Sequence, residues 1–107
     1  MLKFIVVVRR KIDWTPERFR EYFVGVHAPM VVKMPGLRRY RLNFAAPDAK
    51  RAGPGWDCVA ELFFDARETM EAAWASAEGK AASADVAVFA DMEWASWSVV
   101  DEIAVRD

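Results

Sequence analysis

Four short stretches rich in β-branched and aromatic residues are interleaved with two helix-type stretches, and the resulting order β-α-β-β-α-β limits the fold more than any other feature. Leu2–Val8 has the composition of a buried strand. Thr15-Pro16-Glu17 opens the first helix: threonine caps it, proline takes the first helical position and glutamate complements the dipole. Phe19, Tyr22, Phe23 and Val26 then recur at helical spacing. Pro29 disfavours helical geometry at Ala28, which puts His27 at a break or kink. A further turn from Met30 to Met34 ends at Pro35-Gly36.

The second half repeats the pattern. Leu37–Phe44 alternates Arg38, Tyr40, Leu42 and Phe44 against Arg39, Arg41 and Asn43, a strand with one apolar face. The Pro- and Gly-rich loop Ala45–Gly55 leads to a third strand, Asp57–Phe64. Asp65 with Glu68 predicts a capping-box-like helix start, and Met70, Ala73, Trp74 and Ala77 share a face. Gly79 predicts an interruption before an alanine-rich helix that runs towards Phe89. Met92–Val105 reads as a long last strand.

This order is that of the ferredoxin-like split β-α-β unit, an α+β fold with both helices on one face of an antiparallel four-stranded sheet. The opposite face carries Ile5, Val7, Val59, Phe63 and, on this reading, Trp97. Those residues predict a homodimer whose two sheets pack face to face as a dimeric α/β barrel.

At 107 residues the chain is expected to form one domain, 1–107. It can bury roughly two-thirds of its unfolded surface. Hydrophobic residues make up 54%, with five Trp and seven Phe, which suits an oligomer interface or an apolar ligand cavity. No apolar run approaches the ~20 residues that a bilayer demands, so no membrane partner is expected. The N-terminal apolar run ends at Arg9-Arg10, too short for a secretory signal, and the chain reads as cytoplasmic. The single Cys58 excludes an internal disulfide and a cysteine-based zinc cluster, and no metal site is expected. A net charge of −1 supplies no field for nucleic acid, and Arg38, Arg39 and Arg41 read as solvated or paired strand surface.

His27 is the only histidine, and imidazole alone has an unperturbed charge change between about pH 5 and 8. Two readings stand. It is a general base or acid that moves a proton beside a carbonyl, or it is an imidazole satisfying backbone carbonyls freed by Pro29. A third and weaker reading, an axial haem ligand, has no attachment signal behind it. Tyr22 and Tyr40 either aim a hydroxyl at a ligand or pack in the core with the hydroxyl reaching the surface. Trp14 and Trp56 flank loops and can line a pocket mouth. Glu61 shares a strand face with Val59 and Phe63 and is expected to pair with Arg9 or Arg41. Cys58 reads as an inert, buried small hydrophobe.

The helix beginning TPERF, the run VHAPMVVKMPGLRRY, then WDCVAELFFD, then SAEGKAASADVAVFAD before the last strand resemble the EthD family of the dimeric α/β-barrel superfamily, over essentially the whole chain. The family is named from a component of a bacterial ether-degradation system, and its relatives include methylmuconolactone methylisomerase and enzymes acting on polyketide-derived aromatics. The isomerase is similar through its H-x-x-x-x-x-x-M-P-G-L spacing, which places its histidine at His27. It carries a cysteine where this sequence has Leu62, and Cys58 lies on the same strand face four residues earlier. The resemblance implies a small cofactor-independent isomerase, lyase or oxidoreductase acting on a small cyclic or aromatic metabolite. His27 would shuttle the proton, with Tyr22, Tyr40, Cys58 and Leu62 around the ligand. The alternative is a non-catalytic ligand-binding or accessory protein of an oxidative degradation system.

Overall fold

The computed structural model describes residues 1–107. Strand β1 (Leu2–Val8) is followed by helix α1 (Pro16–Tyr22), a π-helical turn (Phe23–His27) and the short helix α2 (Ala28–Val31). Strands β2 (Arg39–Phe44) and β3 (Cys58–Phe64) come next, then helices α3 (Arg67–Ala75) and α4 (Ala77–Phe89), and finally β4 (Ser96–Val100). The four strands form one antiparallel sheet in the order β2-β3-β1-β4, the ferredoxin-like arrangement. No helix is long and apolar enough to cross a membrane.

Register assigns the two faces. Val6 pairs with Ala60 and Trp97, and Leu42 with Ala60, so these residues share the face beneath the helices. Phe4, Leu62 and Tyr40 form the next row on that face, and Val8, Cys58 and Phe44 another. Helix residues Phe19, Phe23, Met70, Val86 and Phe89 close over them to make one core. Each large apolar side chain buried there contributes about 1.5–3 kcal/mol. The opposite face carries Ile5, Val7, Val59 and Phe63 as expected. Trp97 is not among them: its pairing with Val6 turns it towards the helices, where it meets Trp74 edge-on at 6.5 Å.

The first helix starts as its residues dictate, with the Thr15 side chain accepting from the Arg18 N–H at 3.1 Å. Its far end departs from expectation. Ala28 is helical (φ −58°, ψ −41°) despite the proline that follows. An interior proline offers no N–H to the preceding turn, and its ring collides with the carbonyl four residues back. Widening the preceding turn relieves both problems: the Ala28 N–H reaches back to the Phe23 carbonyl in π register. The helix therefore bulges at His27 instead of breaking. Gly36 ends the excursion with φ +79°, a conformation that favours glycine.

Two expected helix signals are spent elsewhere. Asp65 does not cap α3, whose cap position is Ala66 with no side-chain bond; its carboxylate pairs with Arg38 at 2.9 Å. The interruption in the second helical stretch falls at Ser76, not Gly79. Ser76 is extended (φ −68°, ψ 162°), donates to the Ala73 carbonyl at 2.6 Å and accepts from the Gly79 N–H at 3.0 Å. Gly79 is required for close approach, because a Cβ there would lie 2.8 Å from Trp74 Cα.

The last strand is also shorter than expected, Ser96–Val100 instead of Met92–Val105. Lys3 already pairs with Val100, so β1 has almost no residues left to template the tail. Beyond it, Ile103 and Val105 are exposed. Glu61 pairs with Lys3 at 2.9 Å and accepts from Asn43, not from Arg9 or Arg41. Arg9 turns to Asp91, and Arg41 lies over the Phe63 ring.

Candidate functional site

The π-helical turn and α4 bring together the polar groups that matter. His27, at the end of the bulge, is 5% exposed. Its Nδ1 lies 3.0 Å from Asp85 Oδ2, and the Tyr22 hydroxyl donates to Asp85 Oδ1 at 2.8 Å. The three residues come from separate turns but converge on one carboxylate. Phe23 and Phe89 flank the imidazole, with ring centres 5.3 and 4.9 Å away.

This geometry dictates the protonation pattern. A carboxylate that already accepts from Tyr22 requires His27 Nδ1 to be the donor. That leaves Nε2 as a free lone pair, the atom of a potential base. Burial pushes the His27 pKa below its ordinary value, outweighing the opposing pull of Asp85, so the ring is neutral at pH 7. Burial together with Asp85 raises that of Tyr22, keeping it a hydroxyl donor.

His27 forms part of the wall of a mostly apolar cavity between sheet and helices, shared with Tyr40, Leu62, Trp74, Ser83 and Trp97. The cavity measures about 20 Å³, room for roughly one water and far below the space a macrocycle would occupy. The Trp74 Nε1–H is fully enclosed and has no hydrogen-bond partner. No three His, Cys, Asp or Glu side chains are grouped so as to hold a metal ion.

Of the residues picked out in the sequence, His27, Tyr40 and Leu62 reach this cavity together, while Tyr22 and Cys58 do not. Tyr22 lies one step back, hydrogen-bonded to Asp85. Cys58 is wholly buried in the row below, and burial pushes its thiol up to about 12, so it is inert as a nucleophile. Trp14 is buried against Tyr22, and Trp56 belongs to the Ala45–Asp57 loop region; neither lines the cavity. Asp85 and Trp74 are site residues that the sequence pattern did not single out. A signal for Asp85 existed: it is the sole ionisable residue of Ala81–Phe89, and it lies beside the buried stripe of Ala82, Val86 and Phe89. A carboxylate there needs a partner. Nothing local marks Trp74, which reads equally well as a core residue.

Comparison with known proteins agrees with this fold. The family model described as the EthD domain matches residues 11–93. An uncharacterised 11.0 kDa protein in the thcB-thcC intergenic region of Rhodococcus erythropolis is 30% identical over 90 residues, covering 84% of each chain. An EthD family protein from Bacillus halodurans superposes with a TM-score of 0.80 at 22% identity, over 96% of this chain and 100% of that one. A dimeric ferredoxin-like protein from Thermobifida fusca gives 0.71 at 18% identity, over 94% and 90%. SnoaB, a cofactor-independent oxygenase from Streptomyces nogalater, gives 0.65 at 12% identity, over 95% and 92%. The matched segment holds the π-helical turn, the His27–Asp85 pair and every strand but the first and last, and by that match the chain belongs to the EthD family.

Proposed function

We propose that this chain, as one EthD-like unit over residues 1–107, is a small enzyme that needs no cofactor and moves a proton on a cyclic or aromatic metabolite bound at the His27 cavity. One observation carries the reading. A buried, neutral imidazole is held by Asp85 in the tautomer that presents a basic Nε2, on the wall of an apolar cavity. A base positioned by a second group and kept neutral at working pH has the form general-base catalysis requires. Apolar walls exclude water and strengthen the charges that develop.

The ligand's acidic C–H or O–H would give its proton to His27 Nε2, and the resulting imidazolium would be stabilised by Asp85. Tyr22 holds the carboxylate in place, and Tyr40 and Leu62 shape the ligand's space. That one solved structure of this fold is a cofactor-independent oxygenase supports the reading without extending its substrate to this chain. Isomerisation of an unsaturated lactone, and oxidation of an electron-rich phenolate with dioxygen as the electron acceptor, can each begin with this proton transfer. A homodimer packed through Ile5, Val7, Val59 and Phe63 accompanies the proposal, supported by the dimeric ferredoxin-like relative.

A second reading, a non-catalytic binding or accessory protein, is favoured by the water-sized cavity and by the value of the His27–Asp85 bond as a tie between helices. Exchange in D₂O separates the two. The protein, without added cofactor, is incubated with unsaturated lactones, cyclic ketones and electron-rich phenols, and deuterium incorporation is followed by NMR. Accelerated exchange that is lost in His27→Asn upholds the enzyme. No exchange with any compound, or exchange indifferent to His27→Asn, overturns it.

A further inference from the structure

We infer that the Trp74 indole N–H is the hydrogen-bond donor for the ligand's oxygen, which makes the cavity selective for carbonyl- or phenol-bearing rings over the matching hydrocarbons. The inference deepens the proposed function and rests on its placing the ligand at the His27 cavity. Native proteins pair more than nine-tenths of their buried polar groups, so an enclosed donor left over calls for an explanation. Trp74 Nε1 is the one fully buried side-chain nitrogen or oxygen in this chain without a partner. The same residue lines the cavity that holds His27.

Chemistry narrows the occupant. An indole N–H donates only, so its partner must be an acceptor. His27 Nε2, with its lone pair free, accepts only. A single ligand satisfies both if it has an acidic proton close to an acceptor oxygen, as do an enolisable cyclic ketone or lactone and a phenol. When Nε2 takes the proton, the electron pair of the broken C–H or O–H bond becomes enolate or phenolate charge on that oxygen. A fixed donor in a dry, apolar site stabilises such charge without having to reorganise.

At about 20 Å³ the cavity takes a ring only if one wall yields. Trp97 is 37% exposed and stands edge-on to Trp74 on the last strand, whereas the lining rings of Phe23 and Phe89 are buried, so Trp97 is the wall the inference has give way. An incoming ring would lodge where Trp97 withdraws, with its oxygen at Trp74 Nε1.

The test uses phenol and toluene, which differ by the oxygen, and ¹⁵N-labelled protein. Trp74→Phe removes one of five indole cross-peaks and so assigns it. Phenol is expected to bind saturably and move the Trp74 indole proton downfield, while toluene leaves it nearly in place. Trp74→Phe is expected to weaken phenol binding about tenfold or more, within the range for a buried hydrogen bond, with toluene affinity unchanged. An unmoved Trp74 peak on saturation, equal losses for both probes, or no saturable phenol binding to the wild type each overturns the inference. The wild-type shift keeps the test decisive should the variant fold poorly. If proton exchange dependent on His27 persists without any Trp74 response, the donor role fails and the enzyme reading stands. With a Trp74 response but no exchange, the donor role stands and the enzyme reading fails.

Discussion

Replacing Asp85 with asparagine separates the proposed chemical role of the His27–Asp85 pair from its structural one. The carboxylate accepts two hydrogen bonds, from Tyr22 at 2.8 Å and from His27 Nδ1 at 3.0 Å, and the His27 and Asp85 side chains are only 6% and 12% exposed. Asparagine keeps the shape but has one oxygen and one amide nitrogen, so it can accept from only one of them. Losing one nearly buried bond to a charged group costs about 1.5–3 kcal/mol, enough to measure by urea denaturation without abolishing the fold. The amide then donates to whichever partner adapts. If that is His27, its proton moves from Nδ1 to Nε2 and the base is lost. A wrong tautomer costs on the order of 10⁴-fold in rate in the comparable serine-protease arrangement.

Because His27 is the only histidine, its two ring nitrogens can be read directly by ¹⁵N NMR without assignment. The wild type is expected to show Nδ1–H and to titrate below the ordinary histidine value near 6.5. Asp85 opposes that lowering, so in Asp85→Asn the pKa should fall further. Stability follows the same direction. With the folded pKa depressed, the unfolded chain binds more protons below pH 6.5, and stability is lost as pH falls from there towards the folded value. A wild-type His27 that carries its proton on Nε2 would contradict the assigned tautomer, and one that titrates at or above 6.5 would contradict the dominance of burial over Asp85.

Phe89 is fully buried and packs its ring against Phe19, Tyr22, Phe23 and His27, so Phe89→Ala should cost about 3–5 kcal/mol in chemical denaturation and free His27 to titrate closer to 6.5. Gly79→Ala drives a Cβ into the backbone at Ala73 and Trp74 and should destabilise by about 1–3 kcal/mol, whereas alanine at an ordinary helical site stabilises. Sedimentation at micromolar concentration should find a dimer of the 12.2 kDa chain, and Val59→Lys on the outer sheet face should convert it to monomer with the fold intact by circular dichroism. A wild-type monomer would sink the interface.

The pattern of residues settled a great deal unaided. β1 and the capped start of α1 follow from short-range rules, and the order β-α-β-β-α-β pointed to the ferredoxin-like sheet that is found. Alternation alone put Tyr40, Cys58 and Leu62 on one face, and the register agrees. Departures from expectation lie where a distant partner decides. The last strand ends early because β1 has no residues left to pair with, and Trp97 turns inward because its neighbour is Val6. Asp65 abandons its helix for Arg38, a partner on the far side of β2 and β3 in sequence.

The site divides the same way. His27 is visible to anyone scanning for a titratable group near a proline. Its tautomer comes from Asp85, 58 residues away, and its lowered pKa from burial among aromatic rings on two helices, against the pull of Asp85. Sequence proximity reports backbone preference, which acts over a few residues. Desolvation and hydrogen bonding act over a few ångströms, and only the packed chain determines which residues those are.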